Sequence, residues 1–116
     1  MATNTFKLKT KAAVGTALTS VYTVPASTTT VVIGLTVANI LGASVTASAQ
    51  IVTASTTGEN ADDVYFIRNI PLPSGSSVEM MSGNKINLEA GDIIKIQSDT
   101  AAALDAVLSI MEITLF

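Results

Sequence analysis

The sequence predicts a single all-β domain, an antiparallel β-sandwich of jelly-roll-like type with about eight or nine short strands. The 116 residues are too few for two ordinary domains, because chains begin to divide only above about 250 residues. Apolar residues alternate with small polar residues in several short runs, which is the period of a strand. Turn-forming residues separate these runs at close intervals, as in sandwiches and jelly rolls.

The strand candidates follow one another along the whole chain. They cover residues 6–11, 19–24, 32–38, 44–52, 63–70, 77–81, 85–88, 91–98 and 103–115. We expect residues 1–12 to form an N-terminal strand or arm and residues 13–116 to form the β-sandwich domain. The runs 32–38 and 44–52 flank Gly42, so we expect them to form an antiparallel hairpin. One helical turn is expected near residues 99–104, where alanine is frequent.

The last strand is apolar on both of its faces. One face carries Leu104, Leu108 and Ile110, and the other carries Val107, Met111, Ile113 and Leu115. A strand of this kind either lies in the middle of a sheet that is covered twice or contributes one face to a subunit interface. The second face is therefore a candidate interface, consisting of Val107, Met111, Ile113 and Leu115.

Charged residues are few and unevenly distributed. They make up 13% of the chain, compared with about 25% in ordinary soluble domains, and the mean hydropathy is +0.53. Residues 1–58 carry three lysines, a charge of +3, whereas residues 59–116 carry nine acids and three basic residues, a charge of −6. These sum to the net charge of −3, and no charge occurs in the 47 residues between Lys11 and Glu59.

This uncharged run does not predict a membrane span or an export signal. Its most apolar part, residues 31–41, has eleven residues and includes polar ones, whereas a spanning helix needs about 20. Before the run, Lys7, Lys9 and Lys11 alternate with other residues as in a strand, and serine and threonine interrupt the stretch that follows. Valine, isoleucine and leucine are too frequent for disorder. We expect no contact with a membrane.

The composition excludes most catalytic chemistry. The chain has no histidine and no cysteine, so it lacks the usual general base, thiol nucleophiles, disulfides and cysteine-based metal sites. The remaining acids are expected at turns and exposed strand positions, where nothing marks a catalytic pair: Glu79, Glu89, Asp92, Asp99, Asp105 and Glu112. We expect no enzyme activity, no catalytic residue and no cofactor.

One acidic cluster has the ligand types of a cation site. Glu59, Asp62, Asp63 and Asn60 offer the oxygen ligands that hard cations prefer. They lack the residue spacing of a calcium-binding loop, and a solvated hairpin loop explains them equally well. We predict no metal site here.

The lysines near the N-terminus share one face of an extended segment. Lys7, Lys9 and Lys11 are interface candidates because the acidic second half of a neighbouring copy offers complementary charge. The alternative is that they keep an edge strand soluble. No nucleic-acid partner is expected, because no aromatic residues for base stacking are interleaved with them.

Hydroxyl side chains take the place of charges on the predicted strand surfaces. Sixteen threonines and eleven serines make up 27 of the 116 residues, or 23%. A neutral surface of this kind can be buried without the desolvation of charges, which costs several kcal/mol per ion. The composition is therefore typical of a subunit in a permanent assembly.

Three segments resemble small accessory virion proteins of tailed bacteriophages, especially of aquatic and cyanobacterial hosts. They are VYTVPASTTTVVIGLTVANI (21–40), YFIRNIPLPSGSSVEM (65–80) and NLEAGDIIKIQSDTAAALDAVLSIMEI (87–113). The resemblance implies a non-enzymatic β-sandwich located in the virion, and it carries no functional residue.

The favoured function is a capsid decoration or cement protein that self-associates, for example as a trimer, and binds the major capsid protein or other virion proteins. The alternatives are a tail, neck or fibre module that binds a host-surface glycan, and a cellular β-sandwich binding domain.

Overall fold

The computed structural model describes residues 2–54, 62–81 and 84–115, with the backbone alone at Ala2 and Leu115. The described residues form nine strands and the turns between them. The strands are β1 (Ala2–Val14), β2 (Thr19–Thr23), β3 (Thr28–Asn39), β4 (Val45–Val52), β5 (Val64–Leu72), β6 (Ser77–Glu79), β7 (Ile86–Leu88), β8 (Ile93–Ser98) and β9 (Leu104–Leu115). Among the described residues, no helix has the length and apolar character needed to cross a membrane.

The strands form two antiparallel sheets that confirm the predicted sandwich. In sheet A the order is β1-β9-β3, and both β6 and β7 pair with the other edge of β3. In sheet B the order is β2-β8-β4-β5. The pairing is nested. β1 pairs with β9, β2 with β8, β3 with β6 and β7, and β4 with β5. This nested pairing across two sheets is the topology of a jelly roll.

The core lies between the sheets and is filled by alternate residues of the central strands. Sheet A contributes large side chains with no exposed surface, such as Leu35, Leu104 and Leu108. Sheet B contributes Ile94 and Ile96, which are also fully buried. Each such side chain stabilises the fold by about 1.5–3 kcal/mol relative to an exposed position.

The predicted hairpin between residues 32–38 and 44–52 is wrong. These runs form β3 and β4, which lie in opposite sheets, and residues 40–44 cross from one sheet to the other. Alternation predicts each strand correctly, but it does not say whether two strands pair edge to edge or face each other across a core. Here the buried residues of β3, such as Leu35, and of β4, such as Ala47, belong to one core between the sheets.

The buried side chain of Asn39 holds the crossing loop in place. Its amide nitrogen donates to the carbonyl oxygens of Ala43, Leu72 and Pro73 at 2.8, 3.0 and 3.2 Å. Its amide oxygen accepts a hydrogen bond from the backbone N–H of Leu41 at 2.9 Å. Asn39 thus connects the end of β3 with the crossing loop and with the end of β5 through one buried side chain.

The predicted helical turn near residues 99–104 is also wrong. Residues 99–102 form a bend and a turn, and Ala102 has a positive φ of 50°, which is incompatible with a right-handed helix. The backbone N–H of Ala103 then donates to the carbonyl oxygen of Val14 at 2.9 Å. This contact brings the chain into β9 directly after the turn.

The N-terminal segment lies along the edge of sheet A. β1 pairs with β9 at eleven positions, from Ala2 opposite Leu115 to Val14 opposite Leu104, with a register shift between Lys11 and Val14. The division of the chain into residues 1–12 and residues 13–116 stays a prediction.

We expect the Asn39→Ala variant to lose about 2 kcal/mol or more of unfolding free energy, because it removes the hydrogen bonds of a buried side chain to Ala43, Leu72 and Leu41. Urea denaturation of both proteins measures the difference. The control is Asn87→Ala at an exposed position of β7, which should change the free energy by less than about 0.5 kcal/mol. Equal effects of the two substitutions would contradict the role given to Asn39.

Candidate assembly interface

The interface candidates from the sequence lie on one pair of strands, β1 and β9, but on opposite faces. Directly opposed residues of an antiparallel pair point to the same side. Lys7, Lys9 and Lys11 lie opposite Ile110, Leu108 and Ala106, whose side chains are buried in the core. The lysines therefore lie on the inner side of sheet A, at its β1 edge.

The candidates on β9 lie on the outer side of the sheet. Val107 is exposed, and Met111 and Ile113 are half-buried. Leu115 pairs with Ala2 through the backbone, and its side chain is not among those that the structure describes. The structure thus brings Val107, Met111 and Ile113 together on one surface and separates them from the lysines.

Two further apolar residues of β1 lie on the same outer surface. Phe6 is opposite Met111 and is 73% exposed, and Leu8 is opposite Ser109 and is 63% exposed. The sequence signal for them is their alternation with Lys7 and Lys9, since a strand that turns its lysines one way turns these residues the other way. Its meaning depends on β9 being the neighbouring strand, which alternation does not reveal.

Strand β3 extends this surface on the other side of β9. Val31 lies opposite Met111, and Ile33 sits at a register shift between Val32 and Gly34 with 40% of its surface exposed. We call the combined surface the outer patch; its residues are Phe6, Leu8, Val31, Ile33, Val107, Met111 and Ile113. Single exposed apolar residues are common, but a contiguous group on one sheet face is typical of an interaction site.

Among the described residues, two carboxylates lie beside the outer patch. Glu79 lies opposite Thr36, and its Oε2 accepts a hydrogen bond from the Thr36 hydroxyl at 3.1 Å and lies close to Gly34 on the same face. Asp105 lies two residues before Val107 at another margin. Both carboxylates accept backbone N–H groups, from Leu35 at 3.1 Å and from Ala13 at 2.9 Å. They are therefore fixed to the fold at the border of the patch.

An open cleft adjoins the outer patch near β7. Its volume is about 730 Å³, and Val31 and Ile113 belong to both the patch and the lining of the cleft. Ile51 and Ile86 add apolar surface to the cleft, and Glu89 lies on its acidic side. The cleft extends the apolar surface of sheet A toward sheet B.

On the inner side of β1, a buried carboxylate corrects the expectation for Glu112. The sequence predicted an exposed or turn position, but only 4% of Glu112 is exposed. Alternation along β9 explains the position, because Glu112 follows Leu108 and Ile110 on the inward face. The same alternation is the signal that could have revealed this burial from the sequence.

Lys7 and Tyr22 contact the Glu112 carboxylate, and Thr30 contacts Tyr22. The Lys7 ammonium lies 2.8 Å from Oε1, and the Tyr22 hydroxyl donates to Oε2 at 2.5 Å. The Tyr22 oxygen is also 2.8 Å from the Thr30 hydroxyl. Since the single proton of Tyr22 goes to Glu112, the Thr30 hydroxyl is the donor in that second hydrogen bond. These contacts satisfy the buried carboxylate on both oxygens.

The electrostatics of this cluster stabilise the structure and do not suit acid–base catalysis. Lys7, and then Tyr22, hold the pKa of Glu112 below its usual value by bonding to the ionised form. Burial raises the pKa of Tyr22 to about 12, and the hydrogen bond to Glu112 raises it as well. The Lys9 ammonium lies 5.9 Å from the centre of the Tyr22 ring, within cation–π range. The cluster therefore connects β1 with β2 and β9.

The acidic cluster predicted near residue 60 lies partly outside the described residues. Glu59 and Asn60 are not described, whereas Asp62 and Asp63 are exposed. Asp63 accepts the backbone N–H of Thr53 at 2.9 Å. Within the described ranges no group of three or more acidic side chains has the arrangement of a metal site.

We expect Glu112→Gln to lower the free energy of unfolding by about 1–2 kcal/mol at pH 7, because it removes a charge-assisted contact at a buried position. The folded-state pKa of Glu112 is lowered, so its ionised form stabilises the fold above the unfolded pKa of about 4.3. This contribution is lost as the pH falls through the folded-state pKa. In urea denaturation between pH 7 and pH 3, the free energies of unfolding of the native chain and the variant should become equal as the pH falls. The exposed Glu89→Gln variant is the control, and a difference that persists at pH 3 would contradict the assignment.

The comparisons with known proteins concern the fold. No protein-family model and no curated protein matches the sequence. A solved chain from Bacillus endospore appendages, a family of disulfide-linked pili, is similar in structure with a TM-score of 0.52 and 17% identity, over 99% of this chain and 88% of that chain. A chain of infectious bursal disease virus, Gx strain, has a TM-score of 0.48 and 10% identity, over 96% of this chain and 33% of that chain. The VP2 subviral particle of that virus has a TM-score of 0.41 and 8% identity, over 98% and 33%. At these identities, the likeness to the appendage chain shows a shared β-rich fold.

Proposed function

We propose that this chain is a non-enzymatic structural subunit that assembles with copies of itself through the outer patch. The observation that carries the proposal is a group of exposed apolar side chains on one face of sheet A. Phe6, Leu8 and Val107 are 73%, 63% and 44% exposed, although each has a directly paired strand beside it. Apolar side chains that are this exposed in the single chain are expected where a second protein surface covers the sheet in an assembly.

The energetics of covering the outer patch favour association. Burial of a Phe or Leu side chain contributes about 1.5–3 kcal/mol relative to exposure. The patch residues are uncharged, and the Glu79 carboxylate at their border already accepts hydrogen bonds from Leu35 and Thr36, which lowers the cost of removing it from water. Threonines on the same face, such as Thr29 and Thr36, are neutral and do not oppose contact between two copies that each carry a net charge of −3.

The composition and the fold comparison both support a second copy as the occupant. The appendage chain with the similar fold belongs to pili, which are assemblies of many subunits. Those pili are disulfide-linked, whereas the present chain has no cysteine. An assembly of the present chain must therefore be held by non-covalent contacts, and the outer patch provides them.

At the finer level we propose a capsid decoration or cement protein of a tailed-phage virion, bound to the major capsid protein. The resemblance of residues 21–40, 65–80 and 87–113 to accessory virion proteins supports this location. Many weak contacts on a lattice add up to firm attachment, so each subunit needs only a modest interface.

A second candidate is a tail, neck or fibre module that binds a host-surface glycan. The exposed ring of Phe6 favours it, because sugar sites use exposed aromatic side chains together with convergent polar groups. The neighbours of Phe6 across β9 are Met111 and Val31, which are apolar. Packing against a protein surface therefore explains Phe6 better.

We expect Phe6→Lys and Leu8→Lys each to shift the chain from an assembled to a monomeric state, because a buried ammonium would oppose contact. Light scattering coupled to size-exclusion chromatography measures the mass over a concentration series. Both positions are exposed, so the unfolding free energy should stay within about 0.5 kcal/mol of the native value. Thr23→Lys, at an exposed position of β2 in the other sheet, is the control and should assemble normally. A native chain that remains monomeric at every concentration would overturn the proposal.

The virion location has a test of its own. We expect mass spectrometry to detect the chain in purified phage particles, and cryo-electron microscopy to place it on the outside of the head. Density on the tail would support the second candidate instead. Absence from purified particles would contradict both locations and leave only the general assembly proposal.

A further inference from the structure

We infer that β1 is exchanged between copies, so that residues 2–11 of one chain pair with β9 of a neighbouring copy. The inference rests on the proposed self-assembly and names the segment that joins the subunits. It draws on the burial of β1, the geometry of its junction with the rest of the chain, and its contact with Glu112.

β1 contributes little to the core for a strand of its length. Of its described side chains, Val14 alone is buried, Lys9 is half-buried, and residues 3–8 and 10–13 are exposed. By contrast, β3 and β9 each bury alternate side chains along most of their length. Residues 2–11 are therefore held mainly by backbone hydrogen bonds to β9 and by their two lysine contacts. Any copy with a free β9 edge offers the same bonds.

The junction between β1 and the domain has the features of a hinge. Ala13 has a positive φ of 54°, a region that costs about 1 kcal/mol or more for a residue with a side chain. The β1–β9 register shifts at the same place, between Lys11 and Val14. Directly after it, the carbonyl oxygens of Val14 and Gly15 accept backbone N–H groups from Ala103 and Ser98, at 2.9 Å each. The contacts that fix the chain to the domain thus begin at the strained residue, since the Ala13 N–H also donates to Asp105 Oδ1 at 2.9 Å.

The buried carboxylate determines what replaces β1 when it leaves. Without β1, the Glu112 carboxylate would lose its ion pair with Lys7 and keep only its hydrogen bond from Tyr22, which is unfavourable beside the core. The same segment from a second copy restores the Lys7–Glu112 ion pair, the Lys9–Tyr22 contact and the strand pairing together. Exchange thus keeps the contacts that dissociation would lose, which is why swapped elements are an economical route to assembly.

The length of the segment allows it to reach a neighbour. Ten extended residues span about 33 Å, which is comparable with the dimensions of the domain, 48 by 29 by 22 Å. Exchange also leaves the outer patch intact, since Phe6 and Leu8 of the incoming strand lie opposite Met111 and Ser109 of the receiving copy. Each outer patch then belongs to two chains, which couples strand exchange to the covering of the patch.

The absence of native cysteine makes exchange measurable with introduced thiols. One chain carries Thr3→Cys and a second, isotopically labelled chain carries Thr114→Cys; these positions are directly opposed in the β1–β9 ladder and lie outside the outer patch. The two chains are mixed, assembled and oxidised, and the mixed disulfide is quantified by mass spectrometry. A chain with both substitutions verifies that the introduced thiols have disulfide geometry. The control mixture replaces Thr114→Cys with Thr23→Cys in β2, which does not face Thr3.

We expect at least tenfold more mixed disulfide from the Thr3→Cys and Thr114→Cys chains than from the control mixture, and only in the assembled fraction. Assembly by light scattering with no excess over the control would overturn strand exchange and leave the proposed self-assembly standing. A chain that stays monomeric throughout would overturn the proposed function and strand exchange together.

Discussion

The central position of β9 in sheet A is the constraint on which the other features depend. β9 pairs with β1 along one edge and with β3 along the other, so its two faces must serve different surroundings. Its inward row, including Leu108 and Ile110, is fully buried against sheet B. Its outward row, including Val107 and Met111, is exposed or half-buried on the other face of the sheet. A two-residue period thus produces both the core and the outer patch from one strand.

The buried carboxylate of Glu112 links these two faces. The period of β9 places Glu112 on the inward side, where an unpaired charge would be strongly unfavourable. Lys7 provides the opposite charge from β1 and must therefore point inward. Because neighbouring residues of a strand point to opposite sides, Phe6 and Leu8 must then point outward. The contact that satisfies the buried acid is also what exposes the apolar side chains of β1.

The sequence predicted what depends on local period and missed what depends on distant neighbours. The sandwich, most strand positions and the two faces of residues 104–113 follow from alternation and turn residues. The 32–38 and 44–52 hairpin failed because alternation is the same for strands in one sheet and for strands in opposite sheets. The exposed position of Phe6 beside Met111 was missed because it depends on a pairing between positions about one hundred residues apart, whereas the burial of Glu112 follows from the alternation of β9 itself. Such pairings are decided by the nested topology, which no short segment encodes.

The structure also gives the uncharged run of residues 12–58 a more specific meaning. The run contains β3 and β4, which are interior strands of the two sheets, so burial on one face explains part of its composition. It does not explain the other face of β3, where Thr29, Val31 and Ile33 continue the outer surface with uncharged side chains. Ordinary sheets keep neighbours away from exposed surfaces with lysine and glutamate. Here the lysines of β1 lie on the inner side, and the apolar side chains of β1 lie on the outer side, where the proposed assembly would cover them.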